Sequence, residues 1–463
     1  MLMLLLLASS ALEWPQFRGP NSSGLSPDTN LPSDFGPEKN VIWKTALPPG
    51  HSSPVLTRDR IFLTAVDGPK LVTISLDRAT GKILWRREAP RPRVQKMHEA
   101  NSAAAPSAAT DGSNVYVFFG DFGLLSYGPD GNERWRIPLG PFNNPMGFGA
   151  SPVLAGGLLL MICDSETDSF FLAVDKDSGA VRWRVERPEV TRGFSTPVLY
   201  QPERGGLQAL VTGAYRLTAY DLKKGEPVWW LGGLTWQIKT TPVIDREHVY
   251  IQGWAGGADT GQQEEIIPYD SALKVWDSNR DGRLAKDEVL DQKIVKAWND
   301  NDLDTDGHMG ARDWNLYRSK RSVQNGLNAF RLGGRGDMTE KSRLWRYTKS
   351  LPNVPSPLLY QGVLYMLKEG GILTTLDPAS GNVIKQARLE GALGQYFASP
   401  VAADGKVFTL SEEGKLTVLK AAGDWEILSV NDLADGSHST PAIAAGRIYV
   451  RTHSALHCFG KSR

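Results

Sequence analysis

Hydrophobic positions in this chain fall in short runs rich in β-branched and aromatic residues: "IFLTA" (61–65), "VYVFF" (115–119), "VYIQGW" (249–254), "VFTL" (407–410) and "IYVR" (448–451). Runs this short, bounded by Gly, Asp and Pro, predict strands rather than helices. Ahead of each strand group stands a small residue, a proline and an apolar pair, as in "SSPVL", "ASPVL", "STPVL" and "TTPVI". The motif prolines lie at 54, 106, 152, 197, 242, 357, 400 and 441, so the spacing is 41–52 residues except for one step of 115. Further on in the repeat comes a turn and a tryptophan-bearing strand: "SLDRATGKILW" (75–85), "AVDKDSGAVRW" (173–183), "AYDLKKGEPVW" (219–229). Asp77, Asp175 and Asp221 can accept from turn amides, and Gly81, Gly179 and Gly225 supply positive φ. Trp85, Trp183 and Trp229 then offer flat faces for packing between units.

Four antiparallel strands per repeat, repeated eight times, predict an all-β fold, an eight-bladed β-propeller of four-stranded blades. The last repeat ends without its fourth strand. The run "NVIWKTALP" (40–48) has that strand's pattern, so it is expected to complete blade eight and fasten the ring. Lys385 replaces the tryptophan after Gly381, and "AAGDWEIL" (421–428) shifts another, so those blades are expected to pack less tightly.

The oversized step holds a different pattern. "DSNRDGRLAKDE" (277–288) matches the twelve-residue calcium loop of an EF-hand: Asp277, Asn279 and Asp281 supply oxygens, Gly282 makes the turn, Arg283 gives its carbonyl and Glu288 can bind with both oxygens. A second loop, "DLDTDGHMGARD" (302–313), offers Asp302, Asp304, Asp306 and the His308 carbonyl, with Asp313 in place of the final glutamate. The shorter arm of Asp313 predicts weaker calcium binding there, or magnesium. Leu290, Ile294, Ala297 and Trp298 share one helical face between the loops. The expected organisation is a signal peptide (1–11), propeller (12–258), an inserted calcium module (259–321) and the remaining propeller (322–463). Leaving between the second and third strands of blade five, the module is placed over one mouth of the channel, as a lid or docking arm.

Composition narrows the rest. The 463 residues carry 52 basic and 51 acidic groups, a net charge of +1, which gives no broad field for nucleic acid or an anionic membrane. Residues 1–11, "MLMLLLLASSA", read as a secretory signal cleaved after Ala11; no cysteine follows, so a lipid anchor is not expected. A periplasmic or secreted monomer, with no membrane span, is the expectation. Cys163 and Cys458 are expected to be free buried thiols.

The residue three before each motif proline occupies one equivalent place per blade: His51, Ala103, Gly149, Phe194, Lys239, Val354, Phe397 and His438. His51, Phe194, Lys239, Phe397 and His438 are the candidate ligand residues at the channel mouth, with Trp236 and Gln237 on the rim. Such a ring suits a small anionic or planar ligand; the plainer alternative is that these groups only bond strand ends or water.

The Ala–Asp–Gly–Trp spacing, carried as Ala173, Asp175, Gly179, Trp183 and as Ala219, Asp221, Gly225, Trp229, resembles the repeat of the pyrroloquinoline-quinone-like propellers. That superfamily spans quinoprotein dehydrogenases and BamB-like assembly propellers, and "EWPQFRGPNSSGLS" (13–26) is similar to the start of exported bacterial members. The resemblance implies the fold and leaves activity open. Quinoprotein alcohol dehydrogenases of this kind clamp the quinone under adjacent cysteines and hold calcium by acidic groups in the channel. Here there is no Cys–Cys pair, and the calcium motifs lie in the insertion. The expectation is therefore an exported calcium-binding scaffold for a protein or small-molecule partner. The alternative is a pyrroloquinoline-quinone-dependent alcohol or sugar dehydrogenase, with no catalytic residue assignable.

Overall fold

The computed structural model describes residues 13–461; the apolar run read as a signal peptide lies outside them. Eight four-stranded antiparallel sheets follow one another along the chain, each with its first strand innermost. Blade three is typical: Val153–Ala155, Leu158–Cys163, Phe170–Asp175 and Val181–Glu186 pair in sequence order. The two middle strands are buried on both faces, which is why they read as continuous apolar runs rather than alternating ones. The ring closes as the pattern requires. Val41–Ala46 pairs with Ala455–Phe459, Trp43 standing opposite Cys458, and completes blade eight. Cys163 and Cys458 are both buried and unbonded.

Junctions between blades use two devices, one at the outer edge and one at the channel. On the outside, five of the tryptophans dock on the turn of the next blade. Trp43, Trp85, Trp135, Trp183 and Trp345 donate their indole N–H to Arg78, Pro129, Lys176, Leu222 and Pro378 carbonyls at 2.9–3.2 Å. The ring lies against the turn glycine. A Cβ built on Gly225, where φ is +76°, would stand 2.7 Å from Trp183. The glycine is thus required twice, for the left-handed backbone and for the close approach. Blade six lacks its tryptophan without losing contact. Lys385 Nζ lies 4.2 Å from the ring centre of Trp425 and donates to its carbonyl at 2.6 Å, and Trp425 is buried. The expected looser packing is replaced by a cation over an aromatic face.

At the channel, hydroxyl groups next to the motif prolines hand bonds from blade to blade. Ser53 N–H donates to Ser107 Oγ, Ser107 to Ser151, Ser151 to Thr196, Thr241 to Ser356, Ser356 to Ser399, Ser399 to Thr440 and Thr440 back to Ser53, all at 2.9–3.1 Å. Each such bond contributes about 1 kcal/mol net, and its loss would strand a buried amide. The junction from blade four to blade five departs from both devices. There Trp229 bonds Gln208 instead, and Gly336–Asp337 adds a fifth, parallel strand beside it.

Blade five also carries the insertion. Its second strand is His248–Gly253 and its third Gly326–Arg331, so the intervening chain leaves from the end where blades connect. It contains helices α1 (Tyr269–Trp276), α2 (Gln292–Lys296), α3 (Trp298–Asn301) and α4 (Ala311–Ser322) around its own small core of Ala272, Leu284, Ile294, Trp298, Met309 and Trp314.

The first described residues cross the opposite end of the ring. Trp14 pairs with Leu56 of blade one, Thr110 N–H of blade two donates to Pro15, Asn21 bonds Leu199 of blade four, and Ser26 N–H donates to Ala402 of blade seven. Phe17, midway along this crossing, projects into the channel.

Candidate functional site

The residues that open each inner strand converge on a cavity of about 400 Å³ in the channel. His51, Gly149, Phe194, Lys239, Val354, Phe397 and His438 line it, and so do Trp236 and Gln237; Ala103 alone of the eight equivalent positions does not. The hydroxyl ring lies on its wall, with Phe17 of the crossing segment. The candidate ligand residues are therefore brought together.

Two sides of the cavity differ in character. On one, His51 stacks on His438 with ring centres 4.1 Å apart and planes 3° from parallel, and Phe397 stacks on the other side of His438 at 4.4 Å. His438 Nδ1 lies 3.1 Å from His453 Nε2, and its Nε2 lies 3.5 Å from Glu412. Burial, with the neighbouring histidines and the Arg451 guanidinium, pushes His51 down to about 3; burial and His453 push His438 down to about 4. Both rings are neutral near pH 7 and act as aromatic plates.

These neutral histidines predict an acid-sensitive fold. Below the ordinary value of 6.5 the unfolded chain takes up protons at positions 51 and 438, while the folded chain does not until about pH 3 and about pH 4, in that order. The unfolded state then binds more protons, so this stabilisation is complete above pH 6.5 and is lost as pH falls through the folded values. A melting series from pH 7 to 4 should fall more steeply for the wild type than for His51→Phe/His438→Phe. Equal slopes would show that these rings do not set the acid limit.

On the opposite side the cavity is cationic. Lys239 Nζ donates to Gln237 and Asn353 side-chain oxygens at 3.0 and 2.6 Å, both neutral amides, and burial lowers it to about 8. Arg192 is paired with buried Glu166 and lies 5.8 Å from the ring centre of Trp236. From the insertion, Lys320 of α4 stands over the same ring at 5.0 Å and is also lowered to about 8, burial first and Arg192 second. None of the lining residues is Asp or Glu. Sequence reasoning missed Arg192, Asn353 and Phe17. Asn353 adjoins the equivalent position 354 and could have been found by widening the window; Arg192 and Phe17 carry no periodic signal.

The insertion holds both metal motifs. Short strands Leu284–Ala285 and His308–Met309 pair between the loops, Leu284 opposite Met309, and Arg283 bridges to Asp306 at 3.0 Å. In the first loop the Asp277, Asn279 and Asp281 side chains accept from loop amides at 2.8–3.2 Å, and Glu288 reaches back to the Ser278, Asn279 and Ala285 N–H groups. The side chains thus fold back on the amides of their own loop. In the second loop Asp302, Asp304 and Asp306 bring carboxylate oxygens within 4.8 Å of one another, the one such acidic cluster among the described residues. Asp302 is 7% exposed, and its Oδ1 is buried with no hydrogen-bond partner, while Oδ2 accepts from Gly307. Asp313 is occupied by the Gly310 and Leu303 amides, and burial raises its pKa. The uncompensated buried oxygen fits a cation in this loop.

A second cavity, of about 570 Å³, lies beside the first between 93–98 and 141–145. Its Asn143 Nδ2 donates to the Leu303 carbonyl of the second loop at 2.7 Å. Tyr215 Oη donates to Leu316 of α4 at 3.1 Å. The insertion is thereby fastened to the connection ahead of blade three and to the turn between the second and third strands of blade four.

The family described as outer membrane protein assembly factor BamB matches residues 37–166 and 167–462. BamB of Yersinia pestis is 22% identical over 413 residues, covering 84% of this chain and 90% of the relative. Among solved structures, BamB from Moraxella catarrhalis superposes with a TM-score of 0.55 at 12% identity, over 91% of this chain and 98% of that one. The quinohemoprotein alcohol dehydrogenase ADHIIG of Pseudomonas putida HK5 does so with a TM-score of 0.61 at 13% identity, over 99% and 82%. A europium-containing methanol dehydrogenase scores 0.58 at 10% identity, over 98% and 92%. At these identities the structural likeness is one of fold.

Proposed function

Because this chain belongs to the BamB family of pyrroloquinoline-quinone-like propellers, we propose that it is an exported scaffold that holds a protein partner of outer-membrane assembly at its channel mouth, on an arm ordered by calcium. The observation that carries this reading is the seating of α4 beside the cavity, with Lys320 over Trp236. A partner meeting that face would touch the arm and the channel rim together. Calcium would be held in the first loop by Asp277, Asn279, Asp281, the Arg283 carbonyl and Glu288. In the second it would be held by Asp302, Asp304, Asp306, the His308 carbonyl and Asp313. Its service is to shape: it neutralises acidic loops whose apolar face packs as a small core.

The second reading is a quinone-dependent oxidoreductase, favoured by the aromatic plates facing Lys239. A quinone would supply two-electron redox chemistry when bound. His51, Phe194 and Phe397 could hold a planar ring system, and Lys239 a carboxylate on it. The lining has no carboxylate to hold a quinone's metal, so the fit to the metal-bearing channel of quinoproteins is incomplete.

Calorimetric titration of the full chain with calcium tests the arm. Glu288→Gln should weaken the first loop by about two orders of magnitude, the scale on which ligand charge tunes such loops, and leave the propeller melt unchanged. A wild type without calcium binding would end this reading. A stoichiometric quinone absorbance after reconstitution would move the second reading to the front.

A further inference from the structure

The two loops are fastened to the propeller very differently. The acidic side chains of the first loop bond only within 277–288, and the loop touches its partner through Arg283–Asp306 and the pairing of Leu284 with Met309, while Tyr269 Oη of α1 donates to Gly282. The second loop lies on two routes into the channel. One begins at Leu303, whose carbonyl accepts from Asn143; the Asn143 carbonyl accepts from Glu166 N–H at 2.8 Å. Glu166 pairs with Arg192, and Arg192 lies on Trp236. The other begins at Asp313, whose carboxylate accepts from Gly310 N–H at the start of α4. Two turns along that helix, Lys320 covers the Trp236 ring. Both routes meet at one aromatic side chain that lines the 400 Å³ cavity.

We propose that a cation in the second loop, and not in the first, is linked to the state of the channel cavity, tightening the wall formed by Trp236, Arg192 and the 143–149 connection. Two observations place a cation there: the three clustered carboxylates, and the buried Asp302 Oδ1 with no partner among the described residues. With the ion bound, Asp302 and Asp304 are drawn together, and Leu303 between them is fixed against Asn143. Asp313 is fixed at the same time, and with it the register of α4. Linkage is reciprocal, so whatever fills the cavity and presses on Trp236 should raise the affinity of the second loop by the same factor. The loop with the poorer sequence match thus carries the regulatory role, and the better one orders the outer end of the arm. The inference rests on the cation reading of the arm given above.

Hydrogen exchange of the full chain, with and without calcium, separates the possibilities. Calcium should slow exchange in 139–149 and 190–194 and around 234–239 by about fivefold or more, the lower end of ordinary coupling. The slowing should survive in Glu288→Gln and be lost in Asp302→Asn. Asp304→Asn, at an exposed position, should show the same loss and serves if the buried substitution impairs folding. Slowing confined to 269–322, or lost in Glu288→Gln but kept in Asp304→Asn, would overturn the linkage and leave the calcium arm standing. No calcium heat in calorimetry would remove the arm reading and this one together.

Discussion

Arg187→Met should destabilise the protein by about 3–5 kcal/mol, the cost of leaving one member of a buried ion pair without the other. Arg187 Nε and Nη2 donate to the two oxygens of Asp164 at 2.9 and 3.2 Å, with side chains 1% and 0% exposed. Its Nη1 donates to Tyr220 Oη at 2.6 Å, so one guanidinium ties blade three to blade four. Gly193 and Gly213 make room, since a Cβ on either would fall within 2.5 Å of the pair. The melting temperature should drop by about 3–5 °C, because a chain this long has a large unfolding entropy. Asp164→Leu/Arg187→Met should recover most of the loss, as replacing both charges removes the uncompensated one. Additive losses in the double variant would show that the cost comes from packing and not from the stranded charge.

Gly225→Ala should cost about 2–5 kcal/mol. The added methyl group meets Trp183 at 2.7 Å in a backbone held at φ +76°. That combines a left-handed penalty of about 1–2 kcal/mol with overpacking of about 1–3 kcal/mol. Gly156→Ala isolates the first part, for its φ is +63° and no atom stands within 4 Å of the new Cβ. Denaturant unfolding of the two variants should therefore differ by the overpacking part alone. Trp183 fluorescence should change only in Gly225→Ala. Equal losses would mean that the indole moves aside freely and that its bond to Leu222 contributes little.

The docking of tryptophan on glycine explains why the fold could be read so far from the chain. The Asp–Gly–Trp spacing records a contact repeated at five blade junctions, so it recurs with the blade and is visible as a period. Closure by residues 40–48 followed from the same spacing, as the missing member of the last set. The five channel residues were found because the ring places equivalent positions together. The hydroxyl relay was present in the small residue of the motif, but Ser, Thr and Ala there look alike until an amide is seen pointing at the next blade. Ala105 in blade two shows the difficulty, since Ser107, past the proline, takes over the bond. Arg187–Asp164, 23 residues apart, and the passage of residues 14–26 across the ring end are contacts that do not repeat with the blade. Nothing in a local pattern announces them. In the insertion, the ligand letters predict which loop is better furnished but not which one touches the propeller.

Closure of the ring also orders events in time. The strand Val41–Ala46 is made long before its pairing partner Ala455–Phe459. Until then blade eight has no outer strand, and blade one has no Trp43 on Gly81. Bringing together such distant ends incurs a large loop-closure entropy, and topologies dominated by such contacts fold slowly. The chain therefore emerges as an open arc in which Val41–Ala46 has no sheet to join and blade eight presents an unpaired edge, the kind of edge that other chains extend. A protein built this way depends on completing the strand at 455–459 quickly, and on whatever shields that edge before it meets Val41–Ala46.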